Sequence, residues 1–321
     1  MIPELQQADS VEIITLVDDY VNGFLPNLEG VRRPGIDTIW FPMKLGEPML
    51  AEFGWSCLVK IRNQGQVHTI LFDTGCGKSA LLHNARALKV QLKEIEAVVL
   101  SHGHPDHTAA CLETVSAIGR DHLPLIMHPN ALLRRALVGS GGKRIDYPSF
   151  LNEKDLREVG GSLELNAKPT SLANDSACAT GEIPRVTNFE KGMPPNTHYQ
   201  VVGGELAHDP LILDDQGLVI NLRDKGLVVI SGCAHAGIIN TVEYAKGISG
   251  VDNIHAILGG FHLTGRFYEP VIEDTVKAIS IMHPRFVVPS HCTGLRALVN
   301  IASAMPGAFV ENSVGSTFVF S

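Results

Sequence analysis

The sequence predicts an α/β fold in which sheets are covered by helices, and three features predict it. Short apolar runs recur along the chain and end in Gly, Ser, Asp or His. Helical patterns alternate with them. Apolar residues make up 45% of the 321 and charged residues 19%, a balance that leaves ample material for a core. No tandem repeat and no sharp boundary divides the chain, so residues 1–321 read as a single domain.

In order, "VEIITLV", "SCLVKI" (56–61), "HTILFDTG" (68–75) and "AVVLSHGH" (97–104) read as strands. A helix is expected in "KSALLHNARAL", and another from near His107 through "TAACLETVSAI". The later half repeats the pattern. Strands are expected at 123–128, 217–222, 226–233, 254–260, 286–292 and 316–321, and helices at 236–247, 269–282 and 293–304. The stretch from about 139 to 200 differs. It is rich in Gly, Pro, Ser and Asn, and reads as an insertion or lid with little regular structure.

A net charge of −8 and the lack of a basic run interleaved with aromatics argue against a nucleic-acid partner. No apolar run approaches the ~18 residues of a membrane helix, and "MIPELQQADS" lacks the pattern of a secretory signal. The six cysteines are scattered without CxxC spacing. They read as reduced thiols, so a cytoplasmic location is expected.

The densest chemistry lies in "VVLSHGHPDHTAAC" (98–111). In an extended segment, residues two apart point to the same side, so His102 and His104 can aim at one point. The chain turns at Pro105, and Asp106 and His107 can aim at a second point nearby. Imidazole and carboxylate suit zinc, iron or manganese, and two half-sites suggest two metals ~3.5–4 Å apart. A set of exposed turn histidines is the alternative, and the density of the cluster weighs against it. Further ligand candidates follow apolar strands: Cys233 and His235 in "GLVVISGCAHAG", His262 in "AILGGFHLTG", and His291 with Cys292 in "RFVVPSHCTG". Strand ends converge at one edge, where α/β proteins place their sites.

These residues resemble the metallo-β-lactamase-fold metallohydrolases. HxHxDH after a strand is the signature of that superfamily, and "LFDTG" (71–75) resembles its preceding strand and turn. A narrower similarity, in "ITLVDD", "LAEFGWS", "SGCAHAGIINT", "GGFHL" and "HCTG", is to the branch containing the dihydropterin–ribofuranosylaminobenzene 5'-phosphate synthases. It covers nearly the whole chain outside 139–200. The resemblance implies a four-layer αββα sandwich, two mixed sheets with helices on the outer faces. It implies metal ligation by His102, His104, Asp106, His107, His235 and His291. Many members carry a bridging aspartate just after the strand that here ends at Gly232. Cys233 stands there instead, either as a thiolate ligand or as a small buried residue. Asp73 resembles an aspartate that orients a ligand histidine, with a turn-forming role as the alternative. Asp18 and Asp19 end the first strand; one of them is read as reaching the site, with simple strand termination as the alternative.

His262 is read as a substrate contact or proton donor, its preceding glycines admitting a ligand close to the backbone. Asp106 or a neighbouring carboxylate is read as the proton shuttle. His128, His198 and His208 are weaker candidates. Lys143 and Arg144 are read as contacts to a substrate phosphate or carboxylate.

The expected activity is that of a metal-dependent hydrolase whose one or two ions, zinc with manganese or iron as alternatives, acidify water toward a pKa of ~7. The substrate expected is a small molecule, phosphorylated or aromatic. A transferase displacing pyrophosphate, as in the synthase branch, is the second reading. Removal of an aryl substituent is a third, and a di-iron redox module a fourth. The chain shows no flavodoxin-like segment, which counts against the last. Homodimerisation is expected by analogy alone.

Overall fold

The computed structural model describes residues 5–35, 48–139 and 141–321. Two large mixed sheets face each other. One has eight strands, in the order Gly161–Leu165, Leu123–Met127, Ala97–Val99, Gln66–Phe72, Ser56–Asn63, Ser10–Val17, Thr317–Phe320 and Val31–Arg32. The other runs Thr170–Leu172, Ala177–Ala179, Gly217–Leu222, Gly226–Ser231, Ile254–Gly260 and Phe286–Ser290, with Gln7–Ala8 added beside Gly217–Leu222.

Alternation along the strands explains the layering. Val228 and Ile230 face inward with Leu218, Ile220, Val59, Phe72 and Val99, and form the core between the sheets. Leu227 and Val229 face outward against helices Ile238–Ser249, Ile272–Met282 and Leu295–Ala304. On the far side Leu58, Leu71, Val98 and Leu125 pack against helices Ala80–Ala87 and Cys111–Ile118. The four layers are those of the expected αββα sandwich. Among the described residues no helix is long and apolar enough to cross a membrane.

Two expectations need correction. The helix expected from His107 onward is two pieces, Pro105–Thr108 and Cys111–Ile118. Ala110, at φ −93° and ψ 9°, interrupts them, so the short turn that carries Asp106 and His107 has its own direction. The 139–200 stretch holds several short regular elements, among them strands of both large sheets. It supplies helix Glu153–Glu158, the edge strand Gly161–Leu165 of the first sheet, and the hairpin of Thr170–Leu172 with Ala177–Ala179 in the second. Its remaining strands, Arg144–Asp146 and His198–Val202, join Arg135–Val138 and Glu205–His208 in a separate four-stranded sheet. Strands of three to five residues are too short for a period of two to register, and their pairing partners are distant in sequence.

Candidate metal centre

Strands from both sheets end at one edge. Phe72 and Val99 are paired parallel neighbours in the first sheet; Ser231, Gly259, Gly260 and Ser290 lie along paired parallel strands in the second. Just beyond these ends the backbone is left-handed at Asp73 (φ 58°), Ala234 (φ 56°), His262 (φ 46°) and His291 (φ 46°). Such conformations cost non-glycine residues about 1–3 kcal/mol each and persist where packing over-determines them. Glycine allows the two edges to meet. A Cβ on Gly232 would lie 2.1 Å from Ser101 Oγ and 2.8 Å from Asp73 Oδ2. Gly260 likewise gives room to Gly232 O and Cys292 Sγ, so it accommodates a neighbouring strand end; the expectation that it admits a ligand is corrected.

The donors fall into two adjacent groups. His102 Nε2, His104 Nδ1 and His235 Nε2 lie 3.0–3.1 Å from one another. Asp106, His107, Cys233 and His291 form the second group. There His291 Nε2 is 3.2 Å from Asp106 Oδ2, and His107 Nε2 is 3.1 Å from Cys233 Sγ. Cys233 also groups with His235 and His262, so it stands between the two.

Hydrogen bonds behind the site set the histidine tautomers. Asp73 Oδ2 accepts from His107 Nδ1 at 2.7 Å and from the Ser101 hydroxyl at 2.7 Å. The Ser101 hydrogen is thereby committed, so its oxygen accepts from His102 Nδ1 at 2.9 Å. Both imidazoles carry hydrogen on Nδ1 and present the Nε2 lone pair to the site. Asp19 does the same for His291, with Oδ1 3.2 Å from Nδ1. Asp18 is buried and accepts from the His291 backbone N–H at 3.0 Å and from Asn312 at 2.6 Å. Burial pushes its carboxyl up to about 6. Asp19 therefore meets the ligand ring, while Asp18 holds the ligand's backbone.

The two groups differ in charge. Burial, with the neighbouring histidines, holds His102 and His235 well below the usual imidazole range. Burial takes His104 to about 3, against the pull of Asp106. Three neutral imidazoles with converging nitrogens are a donor set for a borderline cation, and zinc–nitrogen bonds of about 2.0–2.1 Å place tetrahedral donors about 3.3 Å apart. In the second group burial lowers His107 and His291, but Asp73 and Asp106 outweigh it at His107, as Cys292, Asp106 and Asp19 do at His291, and both are raised. Burial raises Asp106, yet His107 and His291 outweigh that and hold it below the usual carboxylate range. A carboxylate held this low is suited to ligation and is a poor proton acceptor, which counts against the shuttle role. Burial pushes the Cys233 thiol up, so its thiolate calls for a cation beside it.

The remaining expectations divide. His262 is half-buried at the mouth of the site, its ring 4.4 Å from that of His235, and its buried Nδ1 has no hydrogen-bond partner among the described residues. His198 lies near His104, ring centroids 6.1 Å apart. His128 caps a turn by accepting from Asn130 N–H, and His208 is exposed and accepts from Asn196 N–H; neither joins the site. Lys143 and Arg144 sit on an exposed hairpin, where Asp146 takes the Arg144 guanidinium. The pocket beside the metal groups is instead reached by Lys191. Its volume is about 410 Å³, and Phe189, Phe267, Tyr268, His235 and His262 line it.

The sequence reading missed a brace. Asp214 Oδ2 accepts from Gly103 N–H at 2.8 Å, between His102 and His104, and pairs with buried Arg135. Asp215 accepts from Ala236 N–H at 2.8 Å, beside His235, and burial pushes it up to about 7. Gln216 donates to Leu100 O at 2.8 Å. The signal was an acidic pair, "DDQ", directly before an apolar strand.

Comparison with known proteins identifies the family and the fold. The metallo-beta-lactamase superfamily profile matches residues 53–156. An uncharacterised protein of Methanocaldococcus jannaschii is 32% identical over 270 residues, 83% of this chain and 92% of the relative. The chain belongs to the metallo-β-lactamase superfamily. A second relative from the same organism, 7,8-dihydropterin-6-methyl-4-(β-D-ribofuranosyl)-aminobenzene-5'-phosphate synthase, is 28% identical over 92% of both chains. Among solved structures, a metal-dependent hydrolase of the β-lactamase superfamily aligns with a TM-score of 0.70 at 24% identity, covering 97% of this chain and 98% of that one. A metallo-β-lactamase fold protein from Bacillus subtilis aligns at 0.51 and 13% identity, covering 97% and 99%. Both share the fold. The superfamily is one of enzymes that usually bind metal ions, and the two donor groups are the candidate metal sites of this member.

Proposed function

We propose that this protein is a metal-dependent hydrolase of a small-molecule substrate, with zinc in both donor groups. The observation that carries the reading is the adjacency of the two donor groups, with His235 of the first also lining the neighbouring pocket. His102, His104 and His235 would hold one ion, and Asp106, His107, Cys233 and His291 the other. Bound there, the ions supply Lewis acidity, which acidifies water and offsets negative charge developing on the substrate. The chain's residues orient and select. Asp73, Ser101 and Asp19 hold the ligand imidazoles with lone pairs inward. The walls of Phe189, Phe267 and Tyr268 exclude water and receive an apolar or flat part of the substrate. His262, between the metal groups and the pocket, is placed to hand a proton to the leaving group.

A transferase is the second reading. The 28% identical synthase and the aromatic walls of the pocket support it. The same ligands would serve, with an aromatic nucleophile in place of water.

The test is metal content per chain in wild type, Cys233→Ala and His235→Ala, alongside activity on phosphate and carboxylate esters. Two zinc ions falling to one in either variant is expected. Full activity in metal-stripped protein overturns the proposal. Solvent ¹⁸O in the product marks hydrolysis, and a coupled aromatic product marks transfer.

A further inference from the structure

The four-stranded sheet brings two polar side chains over the His104 side of the site. The Tyr147 ring stands edge-on to His104, centroids 5.4 Å apart at 86°. Its hydroxyl is 3.5 Å from His198 Nε2. On the other side, His198 Nδ1 is 2.8 Å from Thr197 Oγ1. The Thr197 hydroxyl donates its single hydrogen to Pro194 O at 2.6 Å. Its oxygen therefore accepts from His198, which places the ring hydrogen on Nδ1. Nε2 is left as a lone pair facing Tyr147. A phenol, with an ordinary pKa of about 10, keeps its hydrogen near pH 7 and is a donor. A contact of 3.5 Å is at the outer limit of a hydrogen bond, and the donor is easily drawn to a better acceptor.

We propose that Tyr147 is a catalytic hydrogen-bond donor, its hydroxyl serving the oxygen of a carboxylic or phosphoric ester on which negative charge develops beside His102, His104 and His235. His198 is the positioning residue that holds the hydroxyl when no substrate is present. Neither side chain falls in the donor groups; His198 opens a strand of the sheet outside the main sandwich, and Tyr147 directly follows another, Arg144–Asp146. The proposal rests on the metallohydrolase reading, and its test separates the two.

Inorganic phosphate, a tetrahedral oxyanion, is titrated by calorimetry into zinc-loaded full-length protein. Tyr147→Phe keeps the ring on His104 and removes only the hydroxyl. Phosphate affinity is expected to fall about tenfold or more, the effect of losing one hydrogen bond to a charged group, with metal content unchanged. His198→Gln keeps an acceptor and is expected to retain affinity within about threefold, whereas His198→Leu loses it as Tyr147→Phe does. Equal affinity in wild type and Tyr147→Phe overturns the proposal, as does the absence of phosphate binding to the zinc-loaded wild type. Phosphate that binds equally to metal-free protein and to His235→Ala overturns the metallohydrolase reading instead.

Discussion

Asp73 sits at φ 58° with a buried carboxylate shared by Ser101 and His107. It controls two tautomers from one position: His107 directly, and His102 through the Ser101 hydroxyl. Asp73→Asn replaces one acceptor oxygen by a donor, so either the Ser101 N–H on Oδ1 or the pair His107 and Ser101 hydroxyl on Oδ2 faces an N–H instead of an acceptor. Metal affinity is expected to fall about 10–100-fold at both positions, as for other losses of a ligand's outer partner. Ser101→Ala leaves the Asp73–His107 contact and is expected to weaken mainly the three-histidine group. Chelator competition with the two stoichiometries resolved checks both; equal loss at both positions in Ser101→Ala would sink the relay. Cys233 sets a second expectation at this scale. In the proposed ligation its thiolate would be a soft donor. Cys233→Asp is expected to keep a second ion but shift preference toward manganese, read by competition between zinc and manganese.

Short elements with buried charges hold the ligand loops in place. Arg135, 3% exposed, bonds Asp209 at 2.8 Å and Asp214, and Asp214 in turn accepts from the Gly103 N–H between two ligands. Arg135→Met strands a buried carboxylate and is expected to destabilise the fold by about 3–5 kcal/mol, read from urea midpoints. Arg135→Met with Asp214→Asn should cost less than the sum of the two single changes, because the buried Asp214 charge is removed with its partner and only the partly exposed Asp209 loses its cation. The main elements were legible because they are long and strongly periodic: the strands Gly226–Ser231 and Ile254–Gly260 lie where their apolar runs placed them. HxHxDH was legible because its ligands are close in sequence. The brace was not, because Asp214 acts on Gly103 across more than a hundred residues and no local spacing links them. The 139–200 region failed for a related reason. Its Gly and Pro content marked turns correctly, while strands of three residues left no alternation to read. Lys143 and Arg144 looked available in sequence, but Asp146, two residues on, takes the Arg144 guanidinium.

The sandwich as a whole concentrates its functional groups at one edge and leaves a titratable group at the other. His255 lies near the start of the strand that carries His262 beyond its far end. Its ring packs between Phe286 and Phe320, centroids 5.4 and 5.0 Å away. Burial, with Lys225 and Arg285 adding repulsion, lowers it from the ordinary 6.5 to about 4. Above pH 6.5 the ring is neutral in both folded and unfolded chains, and His255 contributes its full share to stability. Between pH 6.5 and 4 the unfolded chain takes up a proton that the folded chain refuses. Stability is therefore lost as pH falls through this window, and no further loss comes from His255 below it. The metal-site imidazoles His102, His104 and His235 are lowered too, so they add a common acid slope in metal-free protein. The difference between wild type and His255→Phe isolates the one residue. His255→Phe is expected to show a shallower fall in urea midpoint from pH 6.5 to 4, and the same metal content as wild type. Parallel curves for the two proteins over that range would show that His255 titrates alike in both states, and that the far edge of the sandwich opens to water before the molecule unfolds.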